Sequence, residues 1–486
     1  MFLSAILGVL TLTAIIIMFL PSKQSTWPRW IALIGSSIAL VITAILFIQY
    51  NMKTAGLQFV ETLPLLPALN ISYDLALDGM ALTMVLLTSI IIFCGVLASW
   101  DLKNRAKEFF ALLLILVVGV FGVFMARDLF VFFLFYEIAV LPMYLLIGIW
   151  GTGDKEYSAM KLTIYLMVGS AFILAAILAL YFYGDQSSFN LTQLSQKEYS
   201  RTFQIIVFPA LFVGFGILAG FWPFHTWSPD GHASAPAAVS MLHAGVLMKL
   251  GAFGIIRLGL ELLPQGAAFW SPYLIIFTLV NIVYGSLVAM SQTDIKYVIA
   301  YSSVSHMGIV LLGICTLNPI ALNGAVLQMF SHGIMTALFF ALVGMIYSRT
   351  KTRIISELGG LAKPMSYLAF AFIVGGLVSL GLPGFSGFVA ELLVFIGTFK
   401  TYPLWAVIAV SGILFTAIYV LRVVQKMFFG ELKTNFTNIT DANLVEKTCL
   451  AILMLVLLIV GIYPSSLVDL INTSIAPLSN LWEVLP

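Results

Sequence analysis

Along most of the chain, apolar runs of about 20 residues alternate with short polar breaks, the length a helix needs to cross a bilayer. Such runs lie near 2–21, 29–50, 78–100, 108–126, 128–150, 158–183, 204–222, 236–259, 272–291, 297–316, 321–347, 366–397, 403–428 and 446–467. Lipid offers the backbone no hydrogen-bond partner, so each run is expected to be a helix that pairs its own N–H and C=O groups. The pattern predicts an all-α integral membrane protein of about 14 transmembrane helices, a single polytopic membrane domain over 1–486. The first run, MFLSAILGVLTLTAIIIMFLP, has neither a basic leader nor a small-residue cleavage site, and reads as a span rather than a signal peptide.

Two runs are interrupted. GFWPFHTWSPDGHASAP, 220–236, carries Pro223, Pro229 and Pro236, and GLPGFSGF, 381–388, places Pro383 between glycines. Proline removes a helix hydrogen bond. Unwound backbone at membrane depth is tolerated where it lines a cavity, and a pair of broken helices in two halves of a transporter points to the ion path. The breaks lie five spans apart, which suggests an internal five-helix repeat.

Composition narrows the picture. The chain is 61% hydrophobic and 9% charged, whereas a soluble domain carries about 25% charged residues. The longest polar stretches, 51–77, 184–203 and 429–445, leave no room for a nucleotide-binding fold or a flavin site. A net charge of +2 without a basic arm points away from nucleic acid. Cys94, Cys315 and Cys449 stand far apart in apolar runs, with no metal-ligand spacing. Lysine and arginine favour cytoplasmic loops. Lys23, Lys103, Arg105, Lys107, Lys155, Lys296, Arg349, Lys351, Arg353, Lys363 and Lys433 fall on one side of the predicted topology. The loop 51–77, with Glu61 and Asp74 against Lys53, falls opposite, so both termini are expected on the non-cytoplasmic side.

Three charges lie well inside spans: Glu137, Lys249 and Glu391. A charge at the bilayer centre costs roughly 2.5 kcal/mol or more and usually marks an ion or proton path. A static ion pair is the plain alternative, but apolar packing replaces such a pair at little cost. Burial disfavours the charged state of a carboxyl and of an ammonium alike, so both can exchange protons near neutral pH. His306 and His332 sit on successive spans among Ser302, Ser303, Ser305, Ser331 and Thr336, and can relay protons through their two ring nitrogens. His243 shares a span with Lys249, but on a different face, so the two are not expected to touch.

Four segments carry a resemblance: LFYEIAVLPMYLLIGIWG, HTWSPDGHASAPAAVSMLHAGVLMKLGAFGIIR, TDIKYVIAYSSVSHMGIVLLGI and GLPGFSGFVAELLVFIG. Together they resemble the antiporter-like membrane subunits of respiratory complex I, NADH-quinone oxidoreductase, and within these the chain M type. The resemblance implies two inverted five-helix repeats, near 108–260 and 272–428, each with a broken helix, and proton translocation along a central polar axis. It implies that Glu137, Lys249, Glu391, His306 and His332 lie on the proton path. The glutamate at Glu391 is similar to chain M, where relatives of the chain L, chain N and Mrp types carry lysine. It also implies that this chain holds no cofactor, that membrane-arm and peripheral-arm partners hold FMN and iron–sulfur clusters, and that quinone is the acceptor. Rival readings are an Mrp-type Na⁺/H⁺ antiporter subunit and the membrane arm of an energy-converting hydrogenase.

One position departs from the pattern. Chain M usually has a lysine about seven residues before the histidine of HTW, as partner to the glutamate, and here that place is Leu218. Lys161 is a candidate substitute, or else a helix-end lysine reaching the interface. His243 is unusual for chain M and is similar to chain L.

Overall fold

The computed structural model describes residues 1–21, 26–54, 56–184 and 188–483, with side chains to 479. Lys23, counted above among the basic loop residues, lies outside them. The chain opens with α1 (Phe2–Met18) and α2 (Thr26–Gln49), followed by the hairpin strands β1 (Gln58–Leu66) and β2 (Ile71–Leu77). Then come α3 (Gly79–Ala98), α4 (Ala106–Met125), α5 (Leu129–Trp150), α6 (Lys155–Tyr181), α7 (Arg201–Ala219) and the short α8 (Trp227–Ser234). The second half holds α9 (Ala237–Leu260), α10 (Pro264–Ser291), α11 (Ile295–Cys315), α12 (Pro319–Thr350), α13 (Ser366–Ser379) and α14 (Ser386–Thr401). It ends with α15 (Pro403–Phe428), α16 (Leu444–Ile462) and α17 (Ser465–Glu483). Among the described residues, 12 helices are long and apolar enough to cross a membrane. The shorter α1 and the pair α13 and α14 occupy the two other predicted spans.

The membrane body is helical as expected, and the departures lie at its edges. The segment 51–77 is not a plain loop: β1 and β2 pair antiparallel, closed by Pro67–Leu69 and by Asn70 in the left-handed conformation. Glu61 ties this hairpin to the start of α1, accepting from the N–H of Leu3 at 2.9 Å and of Ser4 at 3.0 Å. The predicted span 366–397 is two helices, because Gly381, Leu382, Pro383 and Gly384 end the first before the second begins. The span predicted over 446–467 stops at Ile462, ahead of Pro464, and the chain continues as the amphipathic α17. That helix packs on α3, where Ser474 Oγ accepts from the N–H of Met80 at 2.9 Å.

Helices α3, α9, α11 and α12 are enclosed by the rest, while α2, α6, α15 and α16 show apolar sides to the exterior. α9 and α12 approach closely because two glycines meet: a Cβ on Gly333 would lie 2.6 Å from the carbonyl oxygen of Gly245. α9 also contains two widened, π-helical turns, His243–Leu247 and Ile255–Leu260. Such turns are uncommon and often sit at functional positions. α12, with 32 residues, is about 48 Å long at 1.5 Å per residue, well beyond a hydrocarbon core of about 30 Å. The basic loops gather at one end: Arg353 donates to Ala233 O, Lys433 to Ser356 O, Arg349 to Thr440 O, and Trp150 Nε1 to Asn104 O. The hairpin lies at the other end with the pair Asp78–Arg257.

Candidate functional site: a buried polar line between the helix breaks

The first break follows α7 at Gly220. Its freed backbone groups are taken by Asn281 of α10, whose Nδ2 donates to Gly220 O at 2.9 Å while its Oδ1 accepts from the N–H of Trp222. After α8, the chain enters α9, which carries Lys249 fully buried at its middle. The Lys249 ammonium donates to the carbonyl of Ala244, inside the first widened turn, and lies 2.8 Å from His332 Nδ1 on α12. With the lysine charged, His332 accepts at Nδ1, which leaves its proton on Nε2. Nε2 is 3.1 Å from Ser303 Oγ on α11.

One turn further along α11 stands His306, its ring centroid 5.4 Å from that of His332. The rings do not exchange a direct hydrogen bond at that spacing. His306 Nδ1 lies 3.2 Å from Glu391 Oε1, and its Nε2 lies 3.1 Å from Ser379 Oγ at the end of α13. Gln328 Nε2 donates to the same Glu391 oxygen at 3.2 Å. Glu391 begins the second turn of α14, just past the second break. Gly381, at φ +64°, lets the backbone come within reach of it: a Cβ there would be 3.0 Å from Glu391 Oε2. The line Lys249–His332–Ser303, then His306–Glu391, thus runs from α9, the helix that follows the first break, to α14, just past the second. Its members can pass a proton by changing tautomer and charge state.

The remaining candidates fall elsewhere. His243 stacks on Trp227 at 5.1 Å and lies tilted against His232 at 4.1 Å, and neither ring nitrogen of His243, His232 or His225 has a hydrogen-bond partner among the described residues. Buried polar atoms of this kind are ordinarily satisfied by internal water. Lys161 does not substitute as the partner of Glu137. Its Nζ pairs with Asp230 of α8 at 2.7 Å, and Tyr297 donates to the same carboxylate at 3.2 Å. Glu137 itself is half-buried on α5, with Oε1 unpartnered, and lines an apolar groove of about 390 Å³ with Leu141, Leu145, Thr163 and Met167. Leu218 is fully buried.

Sequence reasoning missed several groups. Gln328 was legible as a lone amide in an apolar run, and His232 and Asp230 as polar residues inside the first break. Lys296, expected in an open loop, is 6% exposed and donates to Ala235 O at 2.7 Å. A charged cluster at the hairpin end was not foreseen. Arg257 bonds Asp78 at 2.6 Å and Glu261 at 3.3 Å, and Arg127 lies 3.7 Å from Glu261. Burial alone would raise the Asp78 carboxyl, but the Arg257 guanidinium overrides it and holds the group below the usual carboxylate range.

This fold and polar line define a membrane-embedded, antiporter-like ion carrier. Residues 126–416 match the family described as NADH:quinone oxidoreductase/Mrp antiporter, transmembrane, and the chain belongs to that family. It is 39% identical over 489 residues to NAD(P)H-quinone oxidoreductase chain 4 2 of Thermosynechococcus vestitus, covering 97% of this chain and 91% of that protein. It is 37% identical over 467 residues to NAD(P)H-quinone oxidoreductase chain 4 of Gloeobacter violaceus, covering 94% and 88%. Among solved structures, a chain of respiratory complex I from Thermus thermophilus with bound NADH superposes with a TM-score of 0.92 at 27% identity, covering 99% of this chain and all of that one. A chain of the Mrp complex from Dietzia sp. DQ12-45-1b shares the fold, with a TM-score of 0.88 at 21% identity over 99% of this chain and 97% of that one.

Proposed function

We propose that this chain is a proton-translocating membrane-arm subunit of a complex I-type NAD(P)H-quinone oxidoreductase, of the chain M or chain 4 type. The observation that carries the reading is the buried line from Lys249 through His332 and His306 to Glu391, with spacings of 2.8 Å at one end and 3.2 Å at the other. In this reading electron transfer belongs to partner subunits that hold FMN and iron–sulfur clusters and reduce quinone. The energy it releases drives protons along the line. Lys249 gives its proton to His332, which passes one on through Ser303 and a bridging water to His306, with Glu391 as the counter-charge. Glu137 is the acidic group of the first half, and Lys161 with Asp230 stands beside the first break. The same reading takes 108–260 and 272–428 as inverted repeats, the basic end as cytoplasmic, and both termini as facing away from it.

The test is the intact complex in sealed vesicles, energised with its electron donor and followed by a pH-sensitive dye. Lys249→Ala is expected to abolish the pumped gradient with the complex still assembled. An unchanged gradient would overturn the assignment. Sodium-dependent exchange without any redox substrate would move the chain to an Mrp-type antiporter.

A further inference from the structure

We propose that the cavity at the hairpin end of this chain, between Arg127, Glu261 and α17, seats the zwitterionic headgroup of a phospholipid. Arg127 holds its phosphate and Glu261 its ammonium. The site is separate from the proton line and needs no turnover.

Arg127 stands in the turn between α4 and α5 and is 6% exposed. Its guanidinium makes no hydrogen bond among the described residues. Nε and Nη1 are buried without a partner, and Nη2 is 3.7 Å from Glu261 Oε1, beyond hydrogen-bond reach. Arg257 beside it is committed, to Asp78 at 2.6 Å and to Glu261 at 3.3 Å. Burial lowers the Arg127 guanidinium from its usual range and Arg257 adds to the shift, while Glu261, Asp78 and Asp74 oppose it without cancelling it. A buried charge without hydrogen bonds is costly, so a group of this kind ordinarily has a partner.

Room for that partner lies next to it. Arg127, Glu261, Asp78 and Arg257 line a cavity of about 280 Å³, walled by Gly56 and Leu57 and by α17. From α17, Ser474 Oγ accepts from the N–H of Met80 and donates to no group among the described residues, so its own proton is free for a phosphate oxygen. Asp78 caps the start of α3, and Glu261 follows the last residue of α9. The cavity therefore sits where spans end, at headgroup level rather than inside the hydrocarbon core. An amphipathic helix such as α17 lies at that level, with acyl chains beneath it.

Charge selects the ligand. Two arginines face two acids, and Asp74 nearby is held by Thr62 and Asn190. A bare dianion would leave this cluster with an excess of negative charge. A zwitterion leaves the balance unchanged and satisfies both unbonded partners: a guanidinium takes phosphate oxygens in pairs, and a carboxylate accepts from an ammonium.

The experiment follows hydrogen exchange at residues 56–57 and 473–478 in the intact, delipidated complex in mild detergent. Phosphatidylethanolamine, phosphatidylglycerol or inorganic phosphate is added in turn. Phosphatidylethanolamine is expected to slow exchange there at concentrations about tenfold or more below those at which the other two act. Arg127→Gln is expected to raise the phosphatidylethanolamine needed by about tenfold or more, with assembly intact on a native gel. Glu261→Gln removes the partner of the ammonium and is expected to bring phosphatidylglycerol level with phosphatidylethanolamine, a change of preference that a purely structural role does not produce. Equal protection by the two lipids in the unaltered protein, protection by inorganic phosphate alone, or no protection by any of the three would each overturn the proposal.

Discussion

Glu137 and Glu391 are the same residue type, each a few residues from a proline and each inside an apolar helix, yet the fold treats them oppositely. Glu391 is 3% exposed and held by His306 and Gln328. Glu137 is half-buried, has an unpartnered oxygen and opens onto an apolar groove. The difference follows from the helices that carry them. α14 packs against the enclosed α12 and α11, which bring histidine and glutamine to meet the acid. α5 packs against α4 and α6, whose facing residues in the groove are Leu112, Thr163 and Met167. The enclosed acid thus sits in a polar line, whereas the boundary acid sits alone in an apolar groove.

The strongest test of that contrast removes the lysine at the head of the buried line. Lys249→Ala leaves His332 Nδ1 without its partner, and pumping is expected to fall by more than about tenfold, equivalent to about 1.4 kcal/mol or more of barrier, read as dye quenching in vesicles. Glu391→Gln keeps the shape but withdraws the charge from His306, and a fall of about tenfold is expected in the same assay. Glu137→Gln is expected to lower pumping several-fold less than Glu391→Gln, with the complex assembled. An effect equal to that of Glu391→Gln would erase the distinction between relay and boundary.

Smaller effects mark the edges. Lys161–Asp230 is a partly exposed pair, so Asp230→Asn is expected to cost at most about 1 kcal/mol of stability, measured by thermal melting of the complex. At the hairpin, burial works to raise the Glu61 carboxyl, but the hydroxyl and N–H of Ser4 and the N–H of Leu3 hold it below the usual range. The folded value lies under the unfolded one, so this contribution is complete above the ordinary carboxylate range and is lost as pH falls through the lowered value. Hydrogen exchange at Leu3 and Ser4 is expected to rise only in that acid window. Glu61→Gln is expected to remove the pH dependence at a cost on the order of 1 kcal/mol.

Most of the architecture was legible because hydrophobic length is a direct demand of the bilayer. The breaks were legible through Pro223 and Pro383, and the charges through their rarity at membrane depth. Contacts between distant helices were not. Nothing in the spacing of residues 249 and 332 says that Gly245 and Gly333 let two backbones close up until lysine meets histidine. Lys161 showed the reverse error, since its position one helix after Glu137 suggested a pair, while the α8 segment delivered Asp230 to it first. The hairpin escaped notice because two short strands carry too weak a periodicity to stand out beside helical spans.

The length of α12 has a further consequence. It is a strut that carries Gln328, Ser331 and His332, with Arg349 near one end fastened to Glu446 at 2.6 Å. Other helices enclose this rod, so a change in membrane thickness reaches it through a tilt of the exterior helices packed around it. Tilt about a fastened end displaces the middle, where His332 faces Lys249. Lipid chain length therefore becomes a control variable for conduction, and the same protein is expected to pump at different rates in thin and thick bilayers.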